Sequence, residues 1–282
     1  MRWILTGLLA VTLSWSGADA ADRIVAAGGS VTEVIYALKA EDRLVAVDTT
    51  SQYPPDAESL PDVGYFRRLS AEPILALRPD LVLAVEAAGP PAALDQLRSA
   101  GVEVVTIKDE PTPEGVASKI RQIAAALQLA AEGDALAGEV ASAFEQLRQH
   151  LDRGSEPPKV LFLMTAGRGA PLSAGRNTAA DAIIRLAGGE NAVASFEGYK
   201  PLSPEAAIAA QPDVILCMDH TVEAMGGQEV ILSIPELALT PAGRAGRLVS
   251  MEGLLLLGFG PRTPAAAQAL ARELGTLAAQ KG

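Results

Sequence analysis

Leu69-Ser70-Ala71-Glu72-Pro73-Ile74-Leu75-Ala76-Leu77-Arg78-Pro79-Asp80-Leu81-Val82-Leu83 returns 133 residues later as Leu202-Ser203-Pro204-Glu205-Ala206-Ala207-Ile208-Ala209-Ala210-Gln211-Pro212-Asp213-Val214-Ile215-Leu216. Seven of the fifteen positions are identical, and most others exchange one apolar residue for another. Each copy predicts a short helix opened by a Ser cap, with a Glu in the first turn where the helix dipole favours an anion. A Pro-Asp break ends the helix, and an apolar run then starts a buried strand. Two such copies imply two similar lobes with a cleft between them, each lobe carrying its Glu at the same place.

The flanking sequence supports two α/β lobes. Arg23 to Ala27 reads as a strand, Val34, Ile35 and Leu38 recur at helical spacing, and Leu44 to Val47 is a second strand. In the second half Lys159 to Met164 is a strand, Thr178 to Ala187 a helix, and Gly188-Gly189 its end. Strands alternating with helices predict Rossmann-like lobes with parallel sheets. Between them Leu136, Val140, Phe144, Leu147 and Leu151 form one apolar stripe, up to the stop at Arg153-Gly154 and Pro157-Pro158. The expected division is an N-terminal lobe over 22–128, a linking helix over 131–153 and a C-terminal lobe over 157–282. A rigid helix between lobes allows only small hinge motion.

Residues 1–20 read as a signal peptide: Arg2, an apolar run from Trp3 to Trp15, and Ala18-Asp19-Ala20 as a small-x-small cleavage pattern. No Cys lies near that cleavage site for lipid attachment, so a soluble periplasmic protein of about 260 residues is expected. The net charge of −11 argues against general nucleic-acid binding. Cys217, the only cysteine, sits in the apolar run Val214 to Met218 and reads as a small buried hydrophobe. Gly28-Gly29-Ser30 precedes a helix but lacks the spacing and the Lys of a nucleotide-binding loop.

Ahead of the first repeat stands Gly64-Tyr65-Phe66-Arg67-Arg68, and ahead of the second Gly198-Tyr199-Lys200-Pro201. Each lobe thus presents a Tyr and a basic residue on the loop before its Glu-bearing helix. Ligands bind outside strand ends in open α/β sheets, so these loops are candidate cleft walls. A Tyr that tethers a loop, with a solvated Arg beside it, fits the same residues. Of the two histidines, His150 lies on the linking helix and reads as exposed. His220 follows the strand Val214 to Met218, either as an ordinary loop residue or as a ligand contact at a strand end.

The run Gly64 to Glu72, together with Asn177-Thr178-Ala179-Ala180-Asp181, Tyr199 to Ser203 and Leu257-Gly258-Phe259-Gly260-Pro261-Arg262-Thr263-Pro264, resembles the periplasmic haem-binding proteins of bacterial haem-uptake ABC transporters. These belong to a helix-linked substrate-binding class that also carries cobalamin and ferric siderophores. The resemblance implies that Tyr65 is an axial ligand of ferric haem iron and that Arg67 lies near the phenolate or a propionate. It implies docking of Glu72 and Glu205 onto a symmetric inner-membrane ABC permease dimer, although the helix dipole alone accounts for either Glu. An outer-membrane haem receptor system upstream is implied as well. Haem iron accepts Tyr as an axial ligand, and propionates require cations, for which Arg67 and Lys200 are favoured over Arg68, Arg168, Arg176 and Arg262. Some relatives supply a second axial His after the first strand of the second lobe. Here that segment reads Thr165-Ala166-Gly167-Arg168-Gly169-Ala170, leaving Tyr199 and His220 as further contacts.

The resulting expectation is a haem carrier and not an enzyme. A cobalamin or siderophore carrier is the first alternative. A cleft hydrolase is the second, weakened by the lack of a nucleophile–base pair and of a Gly-x-Ser-x-Gly elbow.

Overall fold

The computed structural model describes residues 21–151, 154, 156–167 and 169–276. The leader and its cleavage after Ala20, residues 152–153 and Arg168 lie outside the described residues; the linking helix, expected to reach 153, ends earlier, at His150, because Leu151 is extended (φ −70°, ψ 135°). The first lobe holds β1 (Ile24–Ala27), α1 (Gly29–Ala37), β2 (Leu44–Val47), α2 (Ala71–Ala76), β3 (Leu81–Val85), α3 (Pro91–Ser99), β4 (Glu103–Ile107) and α4 (Pro113–Ala126). Its sheet runs β2-β1-β3-β4, parallel throughout. The expected parallel sheet of a Rossmann-like lobe is therefore realised here.

Helix α5 (Ala130–His150) leads to β5 (Lys159–Gly167), β6 (Gly169–Ala174), α6 (Ala179–Leu186), β7 (Glu190–Asn191), β8 (Tyr199–Pro201), α7 (Pro204–Ala209), β9 (Val214–Met218) and α8 (Asp219–Ala224). Three short helices follow, α9 (Gln228–Leu232), α10 (Pro235–Ala238) and α11 (Pro241–Ala245). The chain closes with β10 (Leu248–Met251), α12 (Gly253–Leu257) and α13 (Thr263–Leu274). The second sheet runs β10-β9-β5-β6-β8, with β7 also on β5. It departs from the expected all-parallel sheet, because β6 pairs antiparallel with both β5 and β8. The strand expected to end at Met164 continues to Gly167 and pairs antiparallel with β6 from Gly169 onward.

The two repeat copies fold alike down to the backbone. Helices α2 and α7 are each followed by a left-handed residue, Arg78 (φ 49°) and Gln211 (φ 43°), before the Pro-Asp pair. The aspartates then fasten the following strand to the first strand of the lobe. Asp80 Oδ2 accepts the Arg23 N–H at 3.0 Å, and Asp213 Oδ2 accepts the Lys159 N–H at 2.9 Å. The caps differ: Ser203 accepts the Ala206 N–H, whereas Ser70 makes no side-chain capping bond.

Period-two alternation divides the second sheet between two cores. Val160, Phe162, Val214 and Leu216 face a cluster that runs through Val140, Phe144 and Leu147 of α5 into the first lobe. Leu161, Leu163, Ile215 and Cys217 face a smaller cluster with Ile231, Leu237 and Ala242. Helix α5 thus joins the lobes by packing as well as by chain. Gly133 does not interrupt it: a Cβ there would overlap that of Ala124, so the glycine is the point of close approach between α4 and α5. The chain break falls earlier, at Gln128 (φ 62°).

Candidate functional site

The loop bearing Tyr65 is pinned at both ends to the carboxyl edge of the first sheet. Gly64, at φ 88°, donates its N–H to Asp62 Oδ1 (2.7 Å), and its carbonyl accepts the Thr49 N–H beyond β2. Phe66–Arg68 form a 3-10 turn whose Phe66 carbonyl accepts the Gly89 N–H, while the Gly89 carbonyl accepts the Leu69 N–H. The loop therefore sits where β1 and β3 are neighbours although β2 separates them in sequence, the topological switch at which open α/β sheets form clefts.

Tyr65 is half-buried, and its ring meets Phe66 edge-on at 4.8 Å. The Arg68 guanidinium lies 5.9 Å from the Tyr65 ring, and that of Arg67 5.2 Å from Phe66, both cations held over aromatic faces. The Tyr65 hydroxyl takes no hydrogen bond from any described residue, which leaves its oxygen free as a ligand. Phe66 was not singled out in the sequence, yet it organises both neighbours.

The opposite wall is built from β6, β8 and the start of α6. The Gly175 N–H donates to the Gly198 carbonyl and the Gly198 N–H to that of Arg176, which fixes the turn before Tyr199. Tyr199 is half-buried with its ring 6.4 Å from Phe162. Burial raises its pKa, against the opposing pull of the Ala180 backbone, the Thr178 hydroxyl and the charge of Arg67. The hydroxyl is thus seated at the start of α6. Tyr199 and Lys200 lie in the strand β8, paired with β6, and not on the loop expected from the sequence, because their backbone completes the edge of the second sheet. Lys200 is exposed, its ammonium 5.5 Å from the Phe196 ring. Arg176 pairs with Glu197 at 3.6 Å.

His220 is exposed in the first turn of α8, its imidazole against Gly253 at the start of α12. His150 is exposed on α5, as expected. Arg262 is committed elsewhere: its Nη2 pairs with Glu33 at 3.0 Å, so it is not a free cation for a ligand. Glu72 and Glu205 are exposed in the first turns of α2 and α7. The Glu205 backbone N–H and then the Ser203 hydroxyl hold the Glu205 carboxyl below the usual carboxylate range. Among the described residues no group of His, Cys, Asp and Glu could hold a bare metal ion, and no helix is long and apolar enough to cross a membrane.

Sequence reasoning missed Asp48, whose Oδ1 accepts the Gly28 N–H at 2.9 Å and the Ser51 hydroxyl at 3.0 Å, holding the loop after β2 against the start of α1. The cluster Asp48-Thr49-Thr50-Ser51 directly after a strand was its visible signal. It also missed Lys119 and Glu33, each a charge set within an apolar helical stripe.

Two lobes, one presenting a switch-point loop and the other the short edge strand β8, joined by a packed helix, define a helix-linked binding protein. The chain belongs to the periplasmic binding protein family, whose sequence profile matches residues 24–253. It is 34% identical over 215 residues to the vitamin B12-binding protein of Yersinia pestis (strain Pestoides F), covering 74% of each chain. Among solved structures it is similar to the periplasmic heme-binding protein RhuT from Roseiflexus sp. RS-1 in apo form, with a TM-score of 0.87, 46% identity, and 90% and 97% of the two chains covered. The periplasmic heme-binding protein BhuT in complex with two hemes gives 0.85 and 45%, covering 89% and 97%.

Proposed function

We propose that this protein binds ferric haem in the cleft between its lobes, with Tyr65 as axial ligand, and delivers it to an inner-membrane ABC permease. The observation that carries the reading is a Tyr65 hydroxyl with no hydrogen-bond partner among the described residues, on a doubly pinned loop with Arg67 and Arg68 beside it. Ferric iron stabilises a phenolate that would otherwise need a pKa near 10, and a nearby guanidinium adds to that. Arg67 and Lys200 supply cations for propionates from the two walls, with Tyr199, His220 and Arg168 as further contacts. The lobes span 22–128 and 157–282 about the linking helix α5, Ala130–His150. After removal of a leader at Ala20 the protein works in the periplasm, downstream of an outer-membrane haem receptor, as a binder and not a catalyst.

Cobalamin is the second reading, favoured by the name of the Yersinia relative. Against it stand the lower identity and the scarcity of aromatic residues for cobalamin walls, five Phe, four Tyr and two Trp in the chain. Titration of the purified protein with hemin, read by absorption, separates the two. A saturable spectrum with a phenolate-to-iron charge-transfer band supports haem. No spectral change, with calorimetric binding of cyanocobalamin, overturns it.

A further inference from the structure

Two enclosed charges join the lobes, and nothing in the binding site uses them. Lys119 on α4 has a fully buried side chain. Its Nζ pairs with Asp109 Oδ1 at 2.6 Å and donates to Ser30 Oγ at 3.0 Å, both in its own lobe. It also donates to the carbonyls of Gly258 (3.1 Å) and Phe259 (3.0 Å) in the other. Glu33 on α1, buried to 4% exposure, accepts the Arg262 N–H at 2.9 Å and pairs with Arg262 Nη2 at 3.0 Å. The Arg262 guanidinium lies over the ring of Tyr53, 3.4 Å from its centroid, which clamps it from the first lobe again.

The bonds of Lys119 to Gly258 and Phe259, and of Glu33 to Arg262, set a buried charge of the first lobe against partners in the second. Opening the lobes would strip Glu33 of its cation and Lys119 of two of its acceptors, leaving it Asp109 and Ser30, and a buried charge deprived of its partners is strongly disfavoured. The contacts also lead to both walls. The Gly29 N–H donates to Thr50 Oγ1, next to the Thr49 that holds Gly64. On the far side α12 packs on α6, whose start seats the Tyr199 hydroxyl.

We infer that Lys119 and Glu33 are positioning residues that lock the lobes at one aperture, presenting Tyr65 and Lys200 across a gap set before the flat ligand arrives. The identity of the ligand rests on the haem reading; the aperture does not, and is measured without ligand. Gln96 on α3 and Ala209 on α7 are exposed, and Cys217 is buried, so nitroxides can be placed at Gln96→Cys and Ala209→Cys alone.

Pulsed dipolar spectroscopy should give the parent one narrow distance, with or without hemin. In Glu33→Gln and in Lys119→Met the apo distribution should broaden and lengthen. If the competent aperture falls to about a tenth of the population, hemin affinity falls about tenfold, with the charge-transfer band unmoved. Arg262→Lys, which keeps a cation for Glu33, should retain the narrow distance. Should Lys119→Met fail to fold, Glu33→Gln decides. A folded Glu33→Gln variant with the parent's distribution overturns the inference. Altered distances with no hemin band even in the parent leave the brace standing and sink the haem reading.

Discussion

At the residue scale two side chains with opposite surroundings yield sharp tests. The Tyr65 hydroxyl has no hydrogen-bond partner among the described residues, while the Arg68 guanidinium stands near its ring and that of Arg67 near Phe66. Tyr65→Phe preserves the ring and removes the ligand oxygen. The charge-transfer band should vanish from the hemin complex, and affinity should fall by more than in Arg67→Ala, where loss of a supporting group costs about tenfold. An unchanged spectrum would move the ligand role to Tyr199 or His220. Cys217 is the reverse case, a thiol sealed in the core with burial pushing its pKa up to about 12. The folded state keeps the proton above pH 9 while the unfolded state releases it, so stability falls as pH rises from 9 towards 12. The slope is about 1.4 kcal/mol per pH unit. Cys217→Ala should cost about 1 kcal/mol at pH 7 through lost packing. Its urea midpoint should overtake the parent's between pH 9 and 11. Tyr36 and Tyr199, with raised pKa values, and Lys119, with a lowered one, titrate equally in both proteins, so the difference isolates the thiol.

At the scale of elements, α5 contains a built-in comparison. Gly133 faces the Cβ of Ala124 across the α4–α5 contact, whereas Gly138 on the same helix has open space around it. Helix propensity alone favours Ala at both sites by about 1 kcal/mol. Gly138→Ala should therefore stabilise by about 0.5–1 kcal/mol. Gly133→Ala should destabilise by about 1–2 kcal/mol, because the overlap outweighs the propensity gain. Urea unfolding of the two variants checks the opposite signs. The same helix shows what is readable in a chain. Its apolar stripe at Val140, Phe144 and Leu147 is a local, periodic signal, and the repeat carried α2–β3 and α7–β9 to their observed places. Strand β6 carried no such signal: it has only six residues, contains Pro171, and pairs with a β5 whose register shifts between Leu163 and Thr165. Tyr65 and Tyr199 were visible because each precedes a repeat copy. The partners of Lys119 were not, since Gly258 lies 139 residues away and offers only a backbone carbonyl, which no residue type announces.

At the scale of the whole molecule, the doubled Glu is the feature a single-lobe view cannot explain. For one Glu, the start of a helix is explanation enough. Glu205 meets that description, its own N–H and the Ser203 hydroxyl lowering the pKa of its carboxyl. Glu72 and Glu205 nevertheless occupy matched first turns of α2 and α7 and are both exposed, one on each lobe. A permease dimer with a twofold axis offers the same basic residues twice, and a carrier with a pseudo-twofold repeat can meet both. Exposed charges of this kind steer encounter and fix orientation, and their effect falls as salt rises. Glu72→Ala with Glu205→Ala should therefore leave hemin affinity within about twofold of the parent. Transfer to permease-containing vesicles should fall by roughly tenfold, as expected if each charge contributes up to about 1 kcal/mol of steering. Transfer by the parent should weaken between low and high ionic strength, and the double variant should lose most of that salt dependence. Loss of hemin binding in the double variant, with its melting transition unchanged, would put these carboxylates in the pocket and leave the docking surface elsewhere.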